Sequence, residues 1–151
     1  MSIAQRLADL GVTLPDAPAP AANYVPAVRA GGLLFVSGQI SAGPDGMIKG
    51  RLGDGMSLED GAAAARQCAI NLLAQVRTAC DGDIDRLRRV VKLTGFVNCT
   101  PDFGDQPTVI NGASDFLVKA LGEAGRHSRS AVGATLPFGV AVEIEGIFEI
   151  A

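Results

Sequence analysis

Arg129, Glu143 and His127 are the residues of this chain with the most chemistry to offer. They belong to one stretch, HSRSAVGATLPFGVAVEIE, residues 127–145. Arg129 stands at the start of an apolar run. A guanidinium so placed suits a bidentate grip on a carboxylate. Glu143 lies on an alternating strand, on the face that also carries Ala141, Glu145, Ile147 and Glu149. A carboxylate there, partly withdrawn from water, can hold and activate a water molecule. An arginine–glutamate ion pair at an interface would leave the same pattern, and on spacing alone it is the simpler reading. His127 is the only histidine of the chain. Beside two serines it reads more simply as a surface loop residue than as a ligand or base.

Other chemistries find little support. No GxSxG elbow accompanies a Ser/His/Asp triad. The glycine-rich GPDGMIKGRLGDG, residues 43–55, lacks both GxxxxGK[ST] and GxGxxG, so it reads as turns rather than a nucleotide cradle. Cys68, Cys80 and Cys99 are odd in number and form no CxxC pair. They read as small apolar fillers in a reducing compartment, not as a disulfide framework or zinc site. No metal site is expected.

The elements that must position Arg129 and Glu143 follow from periodicity. A chain of 151 residues fits one domain. Ser2 caps a short helix through Leu10, and PDAPAPAAN, residues 15–23, is an extended connector. Strands are predicted over 24–30 and 33–37, with a third short one over 47–50. Ser57 and Asp60 resemble a capping box that opens a long helix. Its buried stripe is Leu58, Ala62, Ala65, Ala69, Leu72, Leu73, Val76 and Cys80. A strand follows over 86–98. Pro107 opens a second helix with Val109, Ala113, Phe116, Leu117, Ala120 and Leu121 inward. Strands over 130–134 and 140–150 close the chain. The order is β-β-(β)-α-β-α-β-β, and both long helices should cover one face of one sheet. The opposite face mixes apolar residues with carboxylates, which points to a neighbouring subunit.

Net charge is −3 and the pI is about 5.0, which disfavours a nucleic-acid partner. The basic run Arg86-Leu87-Arg88-Arg89, with Lys92 beyond it, reads as the solvated beginning of a strand. No apolar run reaches the ~20 residues of a membrane span. The opening MSIAQRLADLG resembles neither a secretory signal nor a transit peptide. A cytoplasmic protein without a membrane partner is the expectation.

Three segments in this order, LLFVSGQIS (33–41), DFGDQPTVINGASDFL (102–117) and SRSAVGATLPFGVAVEIEGI (128–147), resemble the reactive-intermediate deaminase family, RidA, also called the YjgF family. The resemblance runs from about Tyr24 to the C-terminus. It separates an N-terminal helix and Pro/Ala-rich extension, residues 1–20, from a domain over 21–151, as in a longer bacterial subgroup. It implies a chorismate-mutase-like α/β fold: a single domain with a mixed sheet and two helices on one face. It also implies a homotrimer around a central barrel, with sites in clefts between subunits.

The implied activity is hydrolysis of enamine and imine intermediates, such as 2-aminoacrylate and 2-iminobutanoate, to keto acids and ammonia. No metal or organic cofactor is implied. By resemblance, Arg129 holds the substrate carboxylate and Glu143 positions the attacking water. Tyr24 lies near the cleft, Ser37 and Gly38 form the SGQ turn beside the ligand, and Asn111 belongs to the same site. Ala131 stands where a cysteine is frequent, and its backbone amide can still bind a ligand oxygen. His127-Ser128 replaces a frequent Pro-Ala, which makes His127, beside the arginine, as much a candidate cleft-lining residue as a surface one, and GDQPTV lengthens a loop at the cleft wall. Three rivals remain: a non-enzymatic trimer binding a small carboxylate metabolite, an endoribonuclease, and a chorismate-mutase-like isomerase.

Overall fold

The computed structural model describes residues 1–17 and 22–151. The connector expected over 15–23 lies partly outside them. The elements run α1 (Ile3–Asp9), β1 (Ala27–Ala30), β2 (Leu33–Ile40), β3 (Ala42–Gly43), β4 (Gly46–Met47), α2 (Leu58–Ala79), β5 (Leu87–Asn98), α3 (Gln106–Leu121), β6 (Ser128–Ala134) and β7 (Val142–Ile150). The helix starts obey their caps. Ser2 Oγ accepts the Gln5 amide at 3.0 Å, and Ser57 Oγ accepts that of Asp60 at 3.1 Å. Pro107 sits in the first turn of α3, where its missing N–H costs nothing.

Five strands form one sheet in the order β1-β2-β7-β5-β6, while β3 and β4 make a small separate hairpin. Every pair in the main sheet is antiparallel except β5 with β6. The parallel pair needs a crossover, and α3 supplies it. Both long helices lie on one face. Leu34, Val36, Leu93, Val97, Val142, Ile144 and Phe148 point toward them and are buried. Fully burying such a side chain is worth roughly 1.5–3 kcal/mol, so this face carries the fold.

The two helices touch at backbone distance. A Cβ on Gly112 of α3 would overlap the carbonyl oxygen of Ala62 on α2. Only glycine permits that approach. α1 packs on α3 of its own chain through buried Leu7, and the amides of Ile3 and Ala4 donate to Asp85 Oδ1.

Some sequence expectations shift. The strand predicted from Tyr24 begins at Ala27, and Tyr24 lies in an exposed bend before it. The next strand continues to Ile40 across a bulge between Val36 and Gln39. Leu58, placed in the buried stripe of α2, is exposed in the first turn. Ala141, placed on the carboxylate face, is fully buried, because its N–H donates to the Ile48 carbonyl beside the β3–β4 hairpin.

The second face of the sheet is open. Val28, Leu33, Phe35 and Val132 remain exposed there, at 54, 36, 42 and 46%. Lys92, Thr94, Glu145 and Ile147 share that face by strand alternation.

Candidate functional site

Register decides which face each candidate residue meets. On the edge strand β6, Arg129 stands beside Leu93 of β5, whose side chain is buried under the helices. Arg129 therefore emerges on the helix side, against the first half of α3. Its Nη1 donates to Asn111 Oδ1 at 2.8 Å and to Ser114 Oγ at 3.1 Å. Its Nη2 donates to the Pro107 carbonyl at 3.4 Å. Asn111 and Ser114 are one helical turn apart, so both reach the same guanidinium. Ala131, two residues further along β6, shares this face and is half-buried.

His127 is not the loose surface residue expected from its neighbours. Its ring is half-buried and held at both nitrogens. Nδ1 lies 2.6 Å from the Gly125 carbonyl and Nε2 lies 2.9 Å from Ser114 Oγ. Burial lowers its pKa, the Gly125 hydrogen bond opposes that, and the nearby Arg129 charge lowers it further. Sequence reasoning passed over Ser114 altogether. The available signal was its position one turn after Asn111, on the helix that follows the long loop.

Glu143 lies on the opposite, open face, between Ile40 of β2 and Phe96 of β5. The bulge in β2 brings Gly38 over its carboxylate. A Cβ on Gly38 would stand 2.6 Å from Glu143 Oε2. This close cover removes water from one side. Desolvation, and then the like charge of Glu145, raise the Glu143 pKa above its ordinary 4.5. A carboxylate so tuned is a better proton acceptor than an exposed one.

Within one chain the expected site is thus in two halves. Arg129, Asn111 and Ala131 share the helix side of the β6 edge. Glu143 and Gly38 share the open face. Ser37 is next to Gly38, and its N–H donates to the Pro26 carbonyl at 2.9 Å. Ser37 also lines a cleft of about 420 Å³ on the open face, with Pro26, Phe35, Lys92, Thr94 and Glu145. That cleft contains neither Arg129 nor Glu143. Tyr24 is 56% exposed, two residues before Pro26, and borders neither half by a hydrogen bond among the described residues.

Strand order, one parallel edge pair and helices on a single side place the chain in the chorismate-mutase-like α/β class. Within that class it belongs to the YjgF/RidA family: a profile described as "YjgF/chorismate mutase-like, putative endoribonuclease" matches residues 4–140. Protein TCP17 of Trypanosoma cruzi is 48% identical over 151 residues, which cover 98% of this chain and 94% of that one. The crystal structure of Atu1372 of Agrobacterium tumefaciens, a protein with unknown function, superposes with a TM-score of 0.91 at 47% identity. The match covers 99% of this chain and 92% of that one. E. coli TdcF with bound serine matches with a TM-score of 0.62 at 27% identity, over 89% of this chain and 94% of that one. No helix of the described residues is long and apolar enough to cross a membrane.

Proposed function

We propose that the protein hydrolyses the C=N bond of small imino acids of the 2-aminoacrylate and 2-iminobutanoate type, at sites between the subunits of a homotrimer. One observation carries this reading. An oriented guanidinium and a carboxylate of raised pKa stand on opposite faces of one sheet. A substrate that needs both must lie between two chains, with Arg129 from one and Glu143 from the next. The exposed apolar residues of the open face suit burial against a second copy. The serine held by TdcF shows a relative with an amino-acid-sized ligand that carries a carboxylate.

In this mechanism Arg129 fixes the substrate carboxylate. Glu143 takes a proton from a water as the water oxygen bonds to the imine carbon. Glu143 returns that proton to the nitrogen, giving a carbinolamine. It then carries the hydroxyl proton to the nitrogen as the C–N bond breaks, so that ammonia leaves and the new C=O bond completes the keto acid. An enamine substrate first tautomerises to the imine. Such an electrophile needs positioning and modest acid–base help, and no cofactor is called for. Tyr24, Ser37 and the Ala131 amide complete the proposed cleft.

The test follows the loss of freshly generated 2-iminobutanoate by semicarbazide trapping. Arg129→Ala should lower kcat/KM by roughly ten- to 100-fold, the worth of hydrogen bonds to a charged group. Co-assembling Arg129→Ala with Glu143→Gln subunits should then restore activity, because mixed trimers contain interfaces with both native residues. About one site in three is the most a mixed trimer can recover. No recovery on mixing, or a monomeric mass by sedimentation, would remove the shared site. A second reading keeps the same arginine grip without turnover: a trimer that binds small amino or keto acids, favoured by the serine in TdcF. Binding of 2-oxobutanoate with no acceleration of imine loss would select it.

A further inference from the structure

The hydrogen bonds around Arg129 have a direction that the atom types fix. A carbonyl oxygen only accepts, so the 2.6 Å contact with Gly125 places a proton on His127 Nδ1. Neutral histidine then has a bare Nε2, which only accepts. The hydroxyl of Ser114, 2.9 Å away, must therefore donate to it. With its hydrogen committed, Ser114 Oγ turns lone pairs toward Arg129 Nη1, 3.1 Å away. The chain runs from Gly125 through His127 and Ser114 to Arg129, one donor to each acceptor.

A guanidinium has five N–H donors in a fixed plane. Asn111 and Ser114 take both on Nη1, and the Pro107 carbonyl takes one on Nη2. Nε–H and the second Nη2–H are left. Among the described residues no acceptor takes either. All three acceptors belong to α3, which therefore faces the Nη1–Nη2 end of the guanidinium. The edge shared by Nε and Nη2 lies away from them, and two parallel N–H groups there match the two oxygens of a carboxylate.

We propose that His127 is a positioning residue: acting through Ser114, it closes the Nη1 corner of Arg129 so that the Nε–Nη2 edge alone is offered to a substrate carboxylate. The grip is side-on, and its angle is set by α3 before ligand arrives. This deepens the carboxylate-anchoring role proposed for Arg129 and rests on that reading. Preorganisation of this kind removes part of the ordering cost of binding. A neighbouring cation would disturb it. Arg126 pairs with Glu123 at 3.2 Å. Asp115 and Lys119 of α3 are exposed, and Lys92 of β5 belongs to the other face of the sheet. Arg129 is the charge that acts on the ring.

The test uses 15N-labelled full-length protein titrated with 2-oxobutanoate, a stable keto acid. His127 is the only histidine, so its ring nitrogens are read without assignment. Above its pKa they should show a protonated Nδ1 and a bare Nε2. The Arg129 Nε–H signal, identified by its loss in Arg129→Lys, should move downfield on binding. Ser114→Ala should weaken binding about tenfold and abolish most of that movement, with an unchanged melting midpoint. Ser114→Thr, which keeps the hydroxyl, should restore both. An Nε2-protonated ring overturns the proposal. So does an Arg129 Nε–H that ignores the ligand, or a Ser114→Ala protein that binds and shifts as wild type does. Imine turnover on the same samples is a separate readout. If the ring, the shift and the Ser114 variants behave as expected while no imine is hydrolysed, the positioning role stands and the deaminase reading falls.

Discussion

The two faces of the sheet differ in how far one chain completes them. On the helix side, the core is closed. Leu93, Val97, Ile144 and Phe148 are buried, and Arg129 at the edge has partners for its Nη1 corner. On the open side, Phe35, Val28 and Val132 remain in water, and Gly38 lies close over the Glu143 carboxylate. The arginine is held by hydrogen bonds to a helix. The glutamate is held by exclusion, and its cost shows as a raised pKa. A site made of both halves combines a preorganised guanidinium with an under-solvated carboxylate, a division that suits acid–base work on an anchored substrate.

The comparison breaks most severely at the contact that fixes the closed side. Gly112→Ala would push a methyl group into the Ala62 carbonyl and force α3 away from α2. Overpacking against backbone cannot be relieved by a rotamer. The expected loss is about 3 kcal/mol, at the upper end for inserted methylenes. For a chain of this size that lowers the melting midpoint by roughly 6–12 °C. Because α3 carries Asn111 and Ser114, the surviving folded protein should also bind 2-oxobutanoate more weakly. A midpoint within a degree or two of wild type would mean that the helices separate without strain.

Much of the closed side was legible in the sequence. The stripes of α2 and α3 and the alternation of β7 follow from periods that apolar burial imposes, and tertiary packing agrees with them. Leu58 misled because a capping box starts a helix one turn before its stripe meets the core. The site was legible differently. Arg129 and Glu143 drew notice by type and strand position, yet their opposite faces depend on the parallel register of β5 with β6. Register is set by where α3 returns the chain, and no local pattern states it. The bulge at Ser37–Gly38 was hidden for a similar reason, since a glycine in an apolar strand signals a bulge or nothing. Ser114 and His127 meet only after α3 and β6 pack, so the serine drew no notice and the histidine, though singled out by type, read as a surface loop residue.

A subtler break targets the open side. Gly38 has an ordinary negative-φ or extended backbone, so alanine meets no conformational barrier there. Its methyl would instead stand 2.6 Å from Glu143 Oε2 and displace the carboxylate, a flexible end that can move. Stability should change by less than about 1 kcal/mol, as for substitutions that relax locally. Activity on 2-iminobutanoate should fall about 100-fold, the usual penalty for moving a catalytic group by an ångström. Stability lost in proportion to activity would show that Gly38 serves the strand rather than the carboxylate.

The smallest effect separates the two faces by sign. Glu143 has a folded pKa above 4.5, so the native state holds its proton more tightly than the unfolded chain. That preference stabilises the protein below the unfolded pKa and is lost as pH rises through the folded one. His127 has the opposite sense: its pKa lies below 6.5, so its contribution is present above 6.5 and is lost as pH falls through the lower folded value. Glu143→Gln removes a carboxylate that is under-solvated at neutral pH. It should match wild type in stability near pH 4 and exceed it at pH 7. The gain should be on the order of 0.5 kcal/mol, because water still screens a half-exposed group. The same variant should have lost imine hydrolysis, so stability and activity would move in opposite directions. Thermal melts of the two proteins across pH 4–8 read the sign directly. A variant less stable than wild type at pH 7 would mean that Glu143 is held by a favourable partner rather than by exclusion of water, and the contrast between the faces would then narrow to packing alone.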